Sequence, residues 1–313
     1  MLITAVAIAP IFAIIVLGHG LRRGGIPSFD FWNQNDKLVY WVLMPALLFQ
    51  NMSTAAFDAD LVGDYAIVIL GSFAAAVAFG LGASRLAGYA GPVTSSILQG
   101  SARHNTFITL AVAERLYGGE GLALAALAAA MLIPVTNISM VTLMVALVSK
   151  ARGMQVAAAI LKDLARNPLL LAVAVGVAWN LGFDGQPTPV IHDIARILGA
   201  AALPIMLMCV GANLRTEDLA VAIGPTTLAT LAKLLIFPAA VALLARLVGL
   251  TEAQTMVAVI FGAAPTASSA YTLARQLGGD APLMAAIVTL QTAIAFLSLP
   301  ATLWLLQTVL FAS

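Results

Sequence analysis

SARHNTFITL, residues 101–110, lies inside a long apolar run, yet it sets Arg103, His104, Asn105 and Thr106 side by side. Charge at the centre of a membrane helix costs several kcal/mol by most estimates, so residues of this kind mark function by default. How the chain accommodates this stretch decides how it folds.

The surroundings define the environment. Of 313 residues, 61% are apolar and 9% charged, with a mean hydropathy of +1.00. A soluble domain carries roughly 25% charged residues, so this chain cannot clothe a water-facing surface and reads as an integral membrane protein. Its long apolar segments favour helices over a barrel, whose strands alternate in character. A net charge of +1 predicts no nucleic-acid partner. The single cysteine, Cys209, excludes an intrachain disulfide and a cysteine-based metal cluster. No cofactor or bound metal is expected beyond a coupling ion, H+ or Na+.

Apolar windows long enough to span a bilayer predict an all-α polytopic protein with ten transmembrane helices: 3–23, 37–54, 63–87, 93–115, 121–149, 166–182, 190–213, 220–248, 253–276 and 281–311. Polar or Gly/Pro-marked connectors separate them, among them RRGGIPSFDFWNQND (22–36), YGGEG (117–121), SKARGMQ (149–155) and LGGDA (277–281). Residues 1–17 are almost wholly apolar, but the pair Arg22-Arg23 follows them instead of preceding them. That order is wrong for a signal peptide, so 3–23 is expected to be an uncleaved first span.

Basic residues orient the chain. With the first connector cytoplasmic, Arg22, Arg23, Lys37, Arg85, Lys150, Arg152, Lys162, Arg166, Arg215 and Arg275 fall on that side. Only Arg115, Arg196 and Arg246 fall on the other, which predicts both termini non-cytoplasmic.

The two halves repeat. RLYGGEG (115–121) matches RQLGGDA (275–281) at an offset of 160, and the same offset lays Asn105-Thr106 on Pro265-Thr266. LMPALLF (43–49) lies over ALPIMLM (202–208), bringing Pro45 against Pro204. The expected organisation is a first five-helix repeat at 1–149, a short cytoplasmic connector at 150–165 and a second repeat at 166–313. Five spans per half force the second copy upside down, and inverted repeats are a signature of secondary transporters.

Spans four and nine break their apolar pattern at matching places, the first at 103–106, the second in FGAAPTASSAYTL (261–273). Pro265 removes a backbone donor and strains a continuous helix. Irregular backbone at this depth must be buried in protein or line a wet cavity. Paired broken helices offer half-helix N-termini to anionic substrates. A simple kink at Pro265, with Ser and Thr bonding back to their own helix, is the plainer alternative.

Arg103, His104 and Lys233 are the intramembrane basic residues, and no Asp or Glu falls near a predicted midplane. Cationic groups without a fixed carboxylate suit an anion that brings its own charge. Lys233 either contacts that ligand or has a structural part, snorkelling or capping a broken helix with its ammonium. His104 is either a neutral hydrogen-bonder or a proton carrier; His19 and His192 are expected at the interface. Pro45 and Pro204 interrupt spans two and seven, with Gln50, Asn51 and Asn213 following. Pro134, Thr136 and Asn137 interrupt span five, and Gln291 and Thr292 lie in span ten. Each either lines the cavity or glues helices together, and taken singly each reads as glue.

The series GHGLRRGGI (18–26), LVYWVLMPALLF (38–49), HNTFITLAVAERLYGGEG (104–121), ALPIMLMCVGANL (202–214), KLLIFP (233–238) and APTASSAYTLARQLGGD (264–280) resembles the auxin efflux carrier family over nearly the whole chain. That family includes plant auxin exporters and bacterial carriers, some annotated for malonate or malate. The resemblance implies a scaffold and a transport domain on a bile-acid symporter/sodium-proton antiporter-like fold, with spans four and nine crossing at their breaks. It matches Asn105 to the crossover asparagine and Pro265 to the crossover proline. Where many members carry a proline shortly after the asparagine, this chain has Val112. The short connector resembles the bacterial members, which implies an inner-membrane location, and homodimerisation is implied by the family alone.

The expectation is therefore a carrier of a small organic anion, working as an elevator. Arg103, His104, Asn105, Thr106, Pro265, Thr266 and Ser268 build its site, with Asn137, Gln50 and Asn51 contributing and Lys233, Pro45, Pro204 and Gln291 in support. Its rivals are a sodium/proton antiporter, an anion channel and a membrane enzyme.

Overall fold

The computed structural model describes residues 1–55, 59–148, 162, 165–214 and 222–311. Among them every regular element is helical, as lipid demands of a chain that must satisfy its own backbone. In chain order they are α1 (Leu2–Arg23), α2 (Phe29–Leu38), α3 (Met44–Thr54), α4 (Ala59–Leu86), α5 (Gly91–Ala102), α6 (Thr106–Val148), α7 (Pro168–Gly182), α8 (Ile191–Ala212), α9 (Ile223–Leu231), α10 (Phe237–Val248), α11 (Glu252–Ala263), α12 (Ser269–Leu277) and α13 (Ala281–Phe311).

Six helical stretches are long and apolar enough to cross a bilayer, and Pro168–Gly182 and Glu252–Ala263 are shorter apolar helices. Large apolar side chains such as Ile3, Val16, Leu181, Ile197, Leu247 and Leu297 stay more than half exposed. On a water-facing protein they would form an adhesive surface; against lipid they are at home. The chain is a multi-pass membrane protein. The connector 150–165 lies outside the described residues apart from Lys162 and Ala165.

Local sequence sets the helix ends. Asn167 caps α7, its side-chain oxygen accepting from the N–H groups of Leu169 and Leu170 at 3.0 and 3.3 Å, with Pro168 at the first position, where its missing N–H costs nothing. Thr251 and Gln254 close a reciprocal capping box on α11. Gly118 and Gly278, the glycines matched at offset 160, adopt φ of 61° and 77°. Gly118 bends α6 into two arms, 106–117 and 119–148, at the expected YGGEG connector.

Two expectations are corrected. The connector 22–36 is not irregular throughout, because α2 starts at Phe29 inside it. Ser28 caps it by accepting from the Phe31 N–H at 3.2 Å, and buried Trp32 donates to the Ile26 carbonyl at 3.2 Å. Pro204 and Pro134 do not interrupt their helices, which run through them. Pro45 does perturb its helix: a π-turn, Val39–Leu43, precedes it, widening the coil where the proline withholds a donor. His192 stands near the start of α8 and is buried there, its Nε2 2.9 Å from the Ser53 hydroxyl and its Nδ1 accepting from the Thr188 N–H at 2.9 Å.

Packing then sorts the helices. Every residue from Thr94 to Ala102 of α5 and from Thr255 to Ala263 of α11 is buried, so both short helices lie inside the protein. By contrast α1 keeps a lipid face and lies directly on α8. A Cβ on Gly18 would meet the Met208 carbonyl, and one on Gly211 would meet the Ile15 carbonyl. The glycines let two backbones touch, the usual device where no hydrophobic drive separates helix from lipid.

Candidate functional site: two joined helix breaks beside a cationic cavity

Helices α5 and α11 both stop in the protein interior, and each leaves carbonyls without intrahelical partners. After α5 the backbone extends at Arg103 (φ −68°, ψ 147°), and after α11 at Ala264 (φ −69°, ψ 147°). The two breaks are bonded to each other. The Asn105 N–H donates to the Pro265 carbonyl at 2.8 Å. Asn105 also restarts the chain, its Oδ1 accepting from the N–H groups of Phe107 and Ile108, each at 3.2 Å, as the cap of α6.

Side chains satisfy most of the remaining groups. The Gln291 Oε1 accepts from the Thr266 N–H at 3.0 Å, and its Nε2 donates to the Gly100 carbonyl at 2.9 Å and the Ala229 carbonyl at 3.3 Å. The Thr266 hydroxyl lies 2.8 Å from Gln291 Oε1 and 3.0 Å from the Gly100 carbonyl. Lys233, fully buried, donates from Nζ to the Phe261 carbonyl at 3.0 Å and sits 4.2 Å from the Phe237 ring centroid. Of the two roles open to it from sequence, its geometry is that of the cap. Thr266, Gln291 and Lys233 thus hold the breaks together.

Beside the breaks lies a cavity of about 1490 Å³, lined by Arg103, His104, Asn105, Thr106, Ser268 and Asn137 among others. Arg103 donates from Nη2 to the Ser269 hydroxyl at 3.2 Å, while its Nη1 is buried without a partner. His104 Nδ1, Ser268 Oγ and Thr136 Oγ1 are also buried and unpartnered, and all three residues line the same cavity. Buried polar groups in folded proteins are nearly always paired. These four orphans, with Asp36 Oδ1 a fifth on the same cavity, describe a site shaped for a polar ligand.

Gln50, Asn51 and Pro204 do not line that cavity. They line a second cavity of about 760 Å³ with Glu114, Arg115 and Arg196, and the Asn51 amide already donates to the Leu47 carbonyl at 2.8 Å. Pro265, Thr266, Lys233 and Gln291 support the breaks from behind, and Pro45 begins α3 after the π-turn.

One group escaped the sequence. Asp36, the last residue of the expected connector, lines the first cavity; its Oδ2 accepts from the Asn213 amide at 2.8 Å and its Oδ1 is buried and unpartnered. Asn213 in turn accepts from Arg22 Nη1 at 3.0 Å. An amphipathic reading of residues 29–38 would have brought Asp36 into the protein.

Comparison with known proteins points to membrane transport. The family model described as membrane transport protein matches residues 3–304. An uncharacterized transporter of Methanothermobacter thermautotrophicus is 25% identical over 301 residues, covering 94% of this chain and 95% of its own.

Proposed function

The chain belongs to the membrane transport protein family, that of the auxin efflux carriers, and from that premise we propose that it is a secondary carrier of a small organic anion. The observation that carries this reading is the set of four unpartnered polar atoms on Arg103, His104, Thr136 and Ser268 around one cavity. Arg103 supplies a charged donor, Ser268 and Thr136 supply hydroxyls, and the cap of α6 adds a helix N-terminus with its positive dipole end. A carboxylate such as malonate, malate or an indole acid meets every one of these groups with an acceptor.

Ten spans in two inverted repeats, with α5–α6 and α11–α12 crossing at their breaks, account for the matched glycine turns and for the Asn105–Pro265 bond. The first cavity carries Arg22, Arg23, Lys37, Arg166 and Arg275, the residues that positive-inside bias assigns to the cytoplasm. The state described is then inward-open, in a bacterial inner membrane, with both termini outside. The second cavity is the outward half of the path, and the transport half moves past the scaffold as an elevator. Homodimerisation follows the family, and the coupling ion is a proton, sodium or none.

Counterflow in proteoliposomes tests this. Internal malonate should accelerate uptake of labelled malonate with saturation. Linear, non-saturating flux would make the protein a channel, and sodium–proton exchange without anion movement would make it an antiporter.

A further inference from the structure

The basic residues of the first cavity are not all at the breaks. Arg22, Arg23, Lys37, Arg166 and Arg275 line it as well, and Asp36 is its only carboxylate among the described lining residues. Among the described residues none of these cations is joined to that carboxylate within salt-bridge distance, whereas Asp193 and Arg196 are joined at 2.8 Å. Asp36 is engaged by the neutral amide of Asn213. Arg22 donates to the same amide, and Arg275 stands over the Tyr271 ring at 5.9 Å from its centroid. The charge around this cavity is left standing.

The second cavity differs. It is lined by Glu114, Arg115 and Arg196, and Arg196 is the residue bonded to Asp193. Its charges nearly cancel. One end of the molecule thus presents a strongly positive concavity and the other a nearly neutral one. Low-dielectric walls focus such a field and raise local anion concentration, with association rates up by about 10- to 1000-fold.

We infer that Arg23, Lys37 and Arg166 form an electrostatic capture ring that concentrates the anion before it reaches Arg103, and that capture is one-sided. This rests on the anion-carrier reading and extends it to sidedness. The carrier binds its anion tightly from the basic mouth and weakly from the neutral one, which suits loading on the basic side and release on the other. The three ring side chains belong to residues exposed to solvent, so they act at a distance through the field and make no contact at the breaks.

Calorimetric titration of the full-length protein with malonate, across sodium chloride from about 20 to 500 mM, tests this, because screening shortens the field's reach from ~20 Å to ~4 Å over that range. Wild type should weaken as salt rises. The variant R23Q/K37Q/R166Q should start about tenfold weaker at low salt, show a shallower salt dependence because Arg22, Arg103 and Arg275 remain, and converge on wild type at high salt. R115Q, in the second cavity, should behave as wild type. Equal salt slopes for triple variant and wild type would overturn the ring, as would loss of binding in the variant at every salt. If wild type binds no malonate at any salt, the ring and the anion-carrier reading fall together. If it binds with no salt dependence, only the ring falls.

Discussion

The backbone N–H of Asn105 donates to the carbonyl oxygen of Pro265 across 2.8 Å, so two helix breaks 160 residues apart are joined main chain to main chain. The side chain of Asn105 has a separate task, accepting from two N–H groups at the start of α6. Asn105→Ala should therefore lower stability by about 1 kcal/mol, the usual worth of a helix cap, while leaving the main-chain bond in place. Asn105→Asp keeps a capping oxygen and should melt near wild type, yet its negative charge beside Arg103 should abolish malonate binding. Thermal melts and calorimetry on both variants separate the two tasks.

Gln291 answers to a different kind of loss. Its amide serves the Thr266 N–H, the Gly100 carbonyl and the Ala229 carbonyl, all in the interior. Gln291→Leu fills the space but strands the Thr266 N–H, leaves the Gly100 carbonyl to the Thr266 hydroxyl alone and the Ala229 carbonyl to the Ala232 N–H. An orphaned group costs roughly 1–3 kcal/mol, so the variant should be less stable than wild type by that order. A melting temperature equal to wild type would show that water or rearranged side chains replace the amide.

Much of the fold was legible from single residues. Pro265, Asn105 and the paired Gly-Gly-acid turns announced both breaks, because each residue type imposes a local backbone consequence whatever surrounds it. The cavity walls were harder to read. Gln50 and Asn51 follow Pro45 as polar residues should at a site, but helix rotation turns them toward a different cavity. Lys233 looked the same from sequence whether it met ligand or carbonyl; only the position of Phe261 decided between them. Asp36 was hidden because α2 carries a polar composition, and its inward face appears only when its helix is laid against Asn213 of the loop after α8.

Lys233→Met tests that distinction. The ammonium lies on the Phe261 carbonyl and is absent from the cavity wall. Removing a charge-assisted bond should cost about 1.5–3 kcal/mol of stability, while malonate affinity at a temperature where the variant is folded should stay within about threefold of wild type. Loss of affinity comparable to Arg103→Ala would place Lys233 in contact with the ligand.

The α1–α8 contact predicts a contrast between glycines two residues apart. Gly18→Ala drives a methyl group into the Met208 carbonyl, whereas a Cβ at Gly20 meets nothing within 4 Å. Gly18→Ala should broaden the size-exclusion profile and lower the melting temperature. Gly20→Ala should match wild type or gain up to about 1 kcal/mol from reduced backbone entropy. Similar behaviour of the two would mean that α1 and α8 do not pack so closely.

The measurement closest to the central claim is a thermal-shift titration with malonate, malate and an indole carboxylate, with and without sodium, on wild type and Arg103→Ala in parallel. At least one anion should raise the melting temperature of wild type in a saturable way, and Arg103→Ala should lose that response while remaining folded. If no anion stabilises wild type, or if the variant responds identically, the unpartnered groups at the joined breaks are not an anion site.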